Sequence, residues 1–172
     1  MSFIEVLINN MPSFLAALVL TLQLAVCALI IATIIGTITG IFTVSVHKTL
    51  QVISGIYIDL IRGTPLLVQT FIIYYGLAQV LRPYGFQWAK LGGPFTAGVV
   101  TLSINAGAYM AEIVRGGITA VDSGQVEAAR SLGLSSWQTM RKIILPQAFK
   151  TMLPSLINQL IISIKDTSLI SI

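Results

Sequence analysis

The stretch that decides the class of this protein is VLINNMPSFLAALVLTLQLAVCALIIATIIGTITGIFTVSV, which runs from Val6 to Val46 without a charged residue. About 20 apolar residues are enough for a helix to cross a bilayer, so the part from Phe14 to Val46 contains one crossing with length to spare. Over the 172 residues of the chain, 55% are hydrophobic and 9% are charged, with a mean hydropathy of +0.89. So few charges cannot cover a water-soluble globule, and the composition predicts an integral membrane protein.

The polar residue types argue against several other classes of protein. The net charge of +4 does not indicate nucleic acid binding, because the cations are scattered along apolar spans and form no basic face. Cys27 and His47 are the single cysteine and the single histidine, so the sequence predicts no metal site. The six acidic residues are dispersed and form no catalytic grouping, which argues against an enzyme.

Charged residues divide the chain into uncharged runs that mark the crossings. We predict crossings at about residues 14–46, 63–81, 91–111 and 152–172. The predicted fold is an all-α, polytopic membrane helix bundle with an N-terminal tail over residues 1–12 and a cytoplasmic coupling segment over residues 112–150. Residues 50–62 are expected at the membrane interface, with Asp59 and Arg62 one helical turn apart. In the first crossing, Gly36 and Gly40 allow close helix packing, either within the subunit or in a dimer.

The distribution of lysine and arginine predicts which way the chain is inserted. If residues 112–150 are cytoplasmic, the basic residues on that side outnumber those outside by seven to two. The inside group is Lys48, Arg62, Arg115, Arg130, Arg141, Lys142 and Lys150, and the outside group is Arg82 and Lys90. This arrangement places the N-terminus outside, which agrees with a tail that has no basic residue.

The coupling segment carries its own folding signals. Two residue pairs have the three-residue spacing of a capping box, which starts a helix: Asp122 with Gln125, and Ser135 with Gln138. Gly133 falls between them, where a helix can end in a left-handed residue that glycine adopts at low cost. The pattern predicts two short helices at an angle, with apolar side chains near the bend at Leu132, Leu134, Trp137 and Met140. These features alone leave two interpretations open, a surface that contacts another protein or a solvated loop.

A longer motif in the same segment favours the first interpretation. Glu127-Ala128-Ala129, Gly133, Ile144 and Leu145-Pro146 resemble the EAA motif of the permease subunits of bacterial ABC importers. Three further stretches extend the resemblance to the polar amino acid branch of that family over nearly the whole chain: IRGTPLLVQTFIIYYGL, INAGAYMAEIVRGGI and LPQAFKTMLPSLINQLIISIKDTSL. The resemblance implies a type I ABC importer transmembrane domain over residues 13–172. It also implies an incomplete C-terminus, because family members continue past KDTSLISI into a further loop and crossing.

The resemblance implies the partners of the chain as well. In the family, the segment that carries this motif, here Glu127 to Pro146 and called the EAA segment below, docks onto a separate cytoplasmic ATPase that binds ATP and magnesium. This chain contains no Walker A pattern of its own. The implied ATPase-coupling residues are Glu127, Ala128, Ala129, Gly133, Leu134, Trp137, Ile144 and Pro146. Further implied partners are an extracellular or periplasmic amino-acid-binding protein and a second permease copy or homologue. The implied location is the bacterial inner (plasma) membrane.

The substrate implied by the resemblance is a polar L-amino acid, with glutamine first because NQLIISIKDTSL resembles glutamine-type permeases. A zwitterionic amino acid needs an anion for its ammonium group and donors for its carboxylate, and ionisable residues inside a membrane are usually functional. The predicted substrate-path residues are Asn105, Asn158, Gln159, Ser163, Lys165 and Asp166. Lys165 and Asp166 also suit a helix break, an interfacial position or a subunit interface. The alternative functions are an ion-coupled secondary transporter subunit and a structural membrane subunit.

Overall fold

The computed structural model describes residues 3–170, and every element within that range is helical. The main helices are α1 (Phe3–Thr43), α2 (Lys48–Arg62), α3 (Leu66–Phe71), α4 (Ala78–Leu81), α5 (Pro94–Thr119), α6 (Ser123–Ser131), α7 (Ser136–Thr139) and α8 (Leu145–Asp166). The π-helical segments are Ile72–Leu77 and Met140–Ile144, and the 3-10 turns are Arg82–Tyr84, Trp88–Leu91 and Thr167–Leu169. The predicted all-α fold class is confirmed for this range. Residues 1 and 2 of the predicted tail and residues 171 and 172 of the fourth crossing lie outside the described residues.

Two helices are each long and apolar enough to cross a membrane. They are Ile8–Thr43 within α1, where a window of 18 residues reaches a mean hydropathy of 2.7, and α5, where such a window reaches 1.3. Most of α1 is exposed and apolar on all sides, which suits contact with lipid, whereas α5 is buried by its neighbours at the centre of the bundle. The helix of α1 begins at Phe3, before the crossing predicted from about residue 14, and it continues through Pro12 although a proline inside a helix removes a backbone hydrogen bond.

Close packing of α1 against α5 forms the core of the bundle. A side chain on Gly36 would place its Cβ 2.5 Å from the Cβ of Met110, so the absence of a side chain is what allows this approach. Gly40 sits one turn further along against Val114 in the same way. The two glycines therefore serve packing within the subunit, which was one of the two alternatives that the sequence left open.

The helices α2 and α3 meet at a sharp bend. The segment Leu66–Tyr84 turns by 104° from α2, and this geometry fits either a broken third span or a re-entrant loop. The amide of Gly63 donates to the Asp59 carbonyl at 2.8 Å, an α-helical bond at the C-terminal end of α2. Pro65 follows with its fixed φ of −65°, and the next helix starts at Leu66. The predicted interfacial stretch is therefore a regular helix, and the second predicted crossing is helical from its fourth residue.

The last long helix, α8, lies against α5. It begins at Leu145, seven residues before the predicted start at Met152, since the EAA segment leads into it through a π-helical turn. Buried Ala148 packs against Val114 and Ile118 of α5. By length and hydropathy α8 is not among the spans found in the described part of the chain, because polar and charged side chains interrupt it. Two of those polar side chains, Gln159 and Asp166, line the cleft described in the next section.

Candidate functional site

The helix α6 starts at an N-cap that the sequence predicts only in part. The Asp122 side chain accepts a hydrogen bond from the Gly124 amide at 2.6 Å. The Gln125 amide bonds to the backbone carbonyl of Asp122 at 3.1 Å, and the described contacts include no return bond from the Gln125 side chain. Asp122 is therefore a helix cap, as predicted, without the reciprocal half of the capping box.

The turn between α6 and α7 agrees with the sequence prediction. Gly133 has a φ of +81°, the left-handed conformation that glycine adopts at low cost. Ser135 and Gln138 form the complete predicted capping box: the Gln138 amide donates to Ser135 Oγ at 3.2 Å, and the Ser135 amide donates to Gln138 Oε1 at 2.8 Å. Arg130 braces the turn, since its Nη1 donates to Ser136 Oγ at 2.9 Å. The two helices are thus joined by a turn whose polar groups bond to one another.

The predicted coupling residues divide into an outward and an inward set. Trp137 is 68% exposed, and Leu132, which was predicted only as an apolar residue near the bend, is 82% exposed, although both are large apolar side chains. The other outward members of the set are Glu127, Ala128, Gly133 and Pro146. Leu134 and Ile144 are half-buried, and Ile144 packs on the cluster of Val114, Ile118 and Ala148.

Ala129 requires a correction of the interpretation that its small side chain lies against a partner surface. The residue is only 5% exposed, because it faces the interior of the chain beneath the turn. Its carbonyl accepts the Leu134 amide at 3.1 Å, which closes the turn from below. Ala128 within α6 and Leu132 directly after it are exposed instead, because neighbouring positions on a helix point about 100° apart.

A cleft of about 550 Å³ opens beside the bend between α2 and α3. It is lined by Arg62, Gly63, Thr64, Pro65, Leu66, Asn105, Tyr109, Gln159, Ile162 and Asp166. The cleft therefore joins the α2–α3 bend to α5 and α8. Pockets between helices of a bundle are common ligand sites when a few polar groups converge in them.

The structure brings only part of the predicted substrate path into this cleft. Asn105, Gln159 and Asp166 line it. Ser163 is fully buried next to it, and its Oγ lies 3.4 Å from Gln159 Nε2. Asn158 and Lys165 are exposed and do not line the cleft, because each lies about 100° around α8 from its lining neighbour.

Arg62 is a cleft residue that sequence reasoning missed. We predicted it at the cytoplasmic surface near Asp59, but its guanidinium lies 5.3 Å from the centre of the Tyr109 ring. Its Nη1 is also 3.9 Å from a carboxylate oxygen of Glu112, which pairs in addition with Arg115. A cation over an aromatic face is attracted to it, so α5 holds Arg62 at the cleft. The signal in the sequence is an arginine directly before the Gly-Thr-Pro bend.

Gln69 is a second residue that sequence reasoning missed. It is 6% exposed and lies behind the cleft wall, on α3. Its Nε2 lies 2.7 Å from the Ile61 carbonyl and 3.0 Å from the Thr64 carbonyl, across the bend. Its Oε1 accepts a hydrogen bond from Asn105 Nδ2 at 3.0 Å. An amide inside an otherwise apolar run is a signal for such a contact between helices.

Comparison with known proteins identifies a transport family. A family model described as "Binding-protein-dependent transport system inner membrane component" matches residues 32–172. The chain is 39% identical to a nopaline transport system permease protein of Agrobacterium fabrum, over 98% of this chain and 70% of the relative. It is also 39% identical to an arginine transport system permease protein of Bacillus subtilis, over 96% of this chain and 72% of the relative.

Two further similarities point in the same direction. A glutamine transport system permease protein of Escherichia coli is 52% identical over 114 residues, which are 66% of this chain and 49% of the relative. A solved crystal structure of an amino acid ABC transporter with histidines matches with a TM-score of 0.87 and 41% identity. That match covers 99% of this chain and 76% of the solved chain.

Proposed function

The chain belongs to the family of binding-protein-dependent transport system inner membrane components, and on that premise we propose that it forms the translocation path of an ATP-driven importer for polar L-amino acids. It is a transport subunit of an amino acid ABC permease type. We propose that ATP and magnesium are bound by a separate ATPase, to which this chain is coupled through the EAA segment. The partner on the outer side is then an amino-acid-binding protein, and the pore lies between two permease subunits.

The observation that carries this proposal is the exposure of Leu132 and Trp137 on a hydrogen-bonded helix pair. Large apolar side chains that are exposed together on a polar segment mark a surface for another protein. The turn between them is closed by Gly133 and the Ser135–Gln138 capping box, so the pair can move as one rigid body. A rigid pair of this kind can transmit the motion of an ATPase to α5 and α8, which flank it.

The cleft supports an amino acid as the transported molecule. Arg62 supplies a cation and Asp166 supplies an anion to the same cavity, with Asn105 and Gln159 as further polar groups. A zwitterion needs both charges, because its carboxylate and its ammonium each lose water on entry. We propose glutamine as the first substrate to test, supported by the 52% identity to a glutamine permease. The exposed Asn158 and Lys165 are proposed to act outside the cleft, at a surface of the bundle.

The last part of the proposal is the membrane in which the chain lies and the orientation of the chain in it. The inner (plasma) membrane of a bacterium is the location that agrees with the family. We propose that the N-terminus lies outside and that residues 112–150 lie in the cytoplasm, as the excess of lysine and arginine predicts. The lipid-facing surface of α1 is then in contact with both leaflets.

The coupling role can be tested in a complex of the permease with its ATPase and binding protein. We expect the substitution Leu132→Glu to reduce the amount of ATPase that copurifies by about tenfold, since it places a charge in an apolar contact. The matched control is Leu91→Glu, an exposed leucine in the turn before α5, which should leave copurification unchanged. Equal copurification for both variants and the unaltered protein would contradict the coupling role.

The same preparation separates the proposed function from its alternatives. Amino acid uptake that requires ATP, the ATPase and the binding protein supports the importer. Uptake by this chain alone, driven by an ion gradient, would instead indicate a secondary transporter. A complex in which amino acids never stimulate ATP hydrolysis would indicate a structural subunit.

A further inference from the structure

We propose that Gln69 is a positioning residue for the cleft, which orients the Asn105 amide so that the Asn105 carbonyl oxygen faces the ammonium group of the bound amino acid. This inference rests on the proposed function and extends it to one atom of the site. Gln69 does not line the cleft and does not touch the ligand in this proposal. It acts through Asn105, which lines the cleft from α5.

The orientation of the Gln69 amide follows from its neighbours. The carbonyl oxygens of Ile61 and Thr64 lie 2.7 and 3.0 Å from it, and a backbone carbonyl can only accept hydrogen bonds. The amide nitrogen of Gln69 must therefore face these two oxygens. The opposite orientation would place three oxygens together in a buried site, which is strongly unfavourable. Its own oxygen is then left to face α5.

The orientation of Asn105 follows from that of Gln69. Its Nδ2 donates to Gln69 Oε1 at 3.0 Å, so its Oδ1 lies on the other side of the amide group. Among the described residues, every side-chain nitrogen or oxygen that is closed off from solvent has a hydrogen-bond partner. The described contacts give Asn105 Oδ1 no such partner, which leaves this oxygen open to the cleft that Asn105 lines.

This orientation selects the chemical group that binds there. Asn105 Oδ1 and the carboxylate of Asp166 both accept hydrogen bonds and line the same cavity. An ammonium group has three donors and no acceptor, so it is attracted to both, whereas a carboxylate is repelled. If the Asn105 amide were free to turn, it would offer either a donor or an acceptor, and this selection would weaken. Gln69 bonds to both the α2–α3 bend and Asn105 of α5, and it thus keeps the oxygen of Asn105 directed at the cleft.

The test is equilibrium binding of radiolabelled glutamine, and of arginine as a second probe, to the permease–ATPase complex without binding protein. We expect Gln69→Met, which keeps the size of the side chain and removes its polar atoms, to raise Kd about tenfold, the value of one hydrogen bond to a charged group. The maximal ATPase rate with the substrate-loaded binding protein should change less than twofold. The matched control is Thr70→Val, since Thr70 is also buried on α3 but bonds only to Leu66 of its own helix.

A double-mutant cycle separates positioning from a merely structural role. If Gln69 acts through Asn105, then Gln69→Met combined with Asn105→Ala should bind no more weakly than Asn105→Ala alone. If Gln69 instead acts only by stabilising the bend, the two substitutions should be independent, and the increase in Kd of the double variant should be the product of the two single increases. Multiplied effects in this cycle would overturn the proposal, even though the unaltered complex binds and transports amino acids.

A second variant covers the case in which Gln69→Met does not assemble. In Gln69→Glu burial favours the neutral carboxyl group, whose O–H can donate to the Ile61 carbonyl while its other oxygen accepts from Asn105 Nδ2. We expect its Kd to stay within about threefold of the unaltered complex, clearly below that of Asn105→Ala. A Kd equal to that of Asn105→Ala would overturn the proposal. If the unaltered complex neither binds nor imports any amino acid, the proposed function itself fails, and this inference fails with it.

Discussion

The α6–α7 pair and the cleft differ in where their polar and apolar side chains lie. In the α6–α7 pair the polar groups are used in caps and in the turn, while the apolar Leu132 and Trp137 point outward. In the cleft the outer surfaces of the helices are apolar, while Asn105 and Gln159 are buried and polar. The two regions are connected by α5, because Asn105 near the middle of α5 lines the cleft and the C-terminal end of α5 leads into α6.

The difference shows which surface of each region has a role beyond folding. Outside the membrane an exposed polar side chain is ordinary, so an exposed apolar one indicates a partner. Inside the membrane an apolar surface is ordinary, so an inward polar group indicates a path or a site. The two regions should therefore respond differently to substitution: α6–α7 variants should alter coupling at constant substrate affinity, and cleft variants should alter substrate affinity at constant coupling.

The largest effect is expected from Gly133→Val. A β-branched residue strongly disfavours a φ of +81°, so the turn between α6 and α7 must distort. We expect the ATPase activity stimulated by the loaded binding protein to fall at least about tenfold, with membrane insertion and glutamine Kd unchanged. The control is Gly116→Val: a Cβ would also meet open space at Gly116, but the backbone there is helical. Normal coupling in Gly133→Val would remove the turn from the mechanism.

The next effect in size is expected from Asp166→Asn in the cleft, which should lower the affinity for glutamine without reducing the coupling to the ATPase. Removing the negative charge replaces the proposed ion pair with the ammonium group by a hydrogen bond to an uncharged amide oxygen, so Kd for glutamine should rise about tenfold. The maximal ATPase rate at saturating loaded binding protein should stay within about twofold. Unchanged affinity would exclude Asp166 from the substrate site and would leave the cleft without its anion.

The smallest effect is expected from Lys165→Gln, one residue away. Lys165 is exposed and does not line the cleft, so both the glutamine Kd and the maximal ATPase rate should stay within about twofold of the unaltered complex. The same binding assay used for Asp166→Asn makes the two variants a matched pair. A tenfold change in Kd for Lys165→Gln would mean that the bound state rotates α8 relative to the cleft seen here.

Local signals were the ones that could be predicted from the sequence. The left-handed Gly133 and the capping box of Ser135 and Gln138 depend on residues within a few positions of each other, so their spacing was enough. The apolar lengths of α1 and α5 likewise follow from the uncharged runs. Helix ends were less accurate, since α8 starts seven residues before the prediction and α1 extends into the predicted tail.

Contacts between distant segments could not be predicted in the same way. Gln69 and Asn105 are 36 positions apart, and although an amide in an apolar run signals a contact between helices, the sequence does not say which polar group it meets. Arg62 has Asp59 one turn away on its own helix, yet the bend at Gly63–Pro65 brings it to Tyr109 and Glu112. These contacts depend on the 104° angle at the bend and on the packing of α2 against α5.

The sequence by itself determined the membrane class, the helical fold and the bent α6–α7 pair. It could do so because hydropathy, charge and capping act over one helix or one turn. Only the tertiary structure decided that Ala129 faces inward, that Asn158 and Lys165 lie outside the cleft, and that Arg62 and Gln69 belong to its architecture. The physical reason is that the position of a residue on a helix sets the direction of its side chain, whereas the packing of the other helices decides what that side chain contacts.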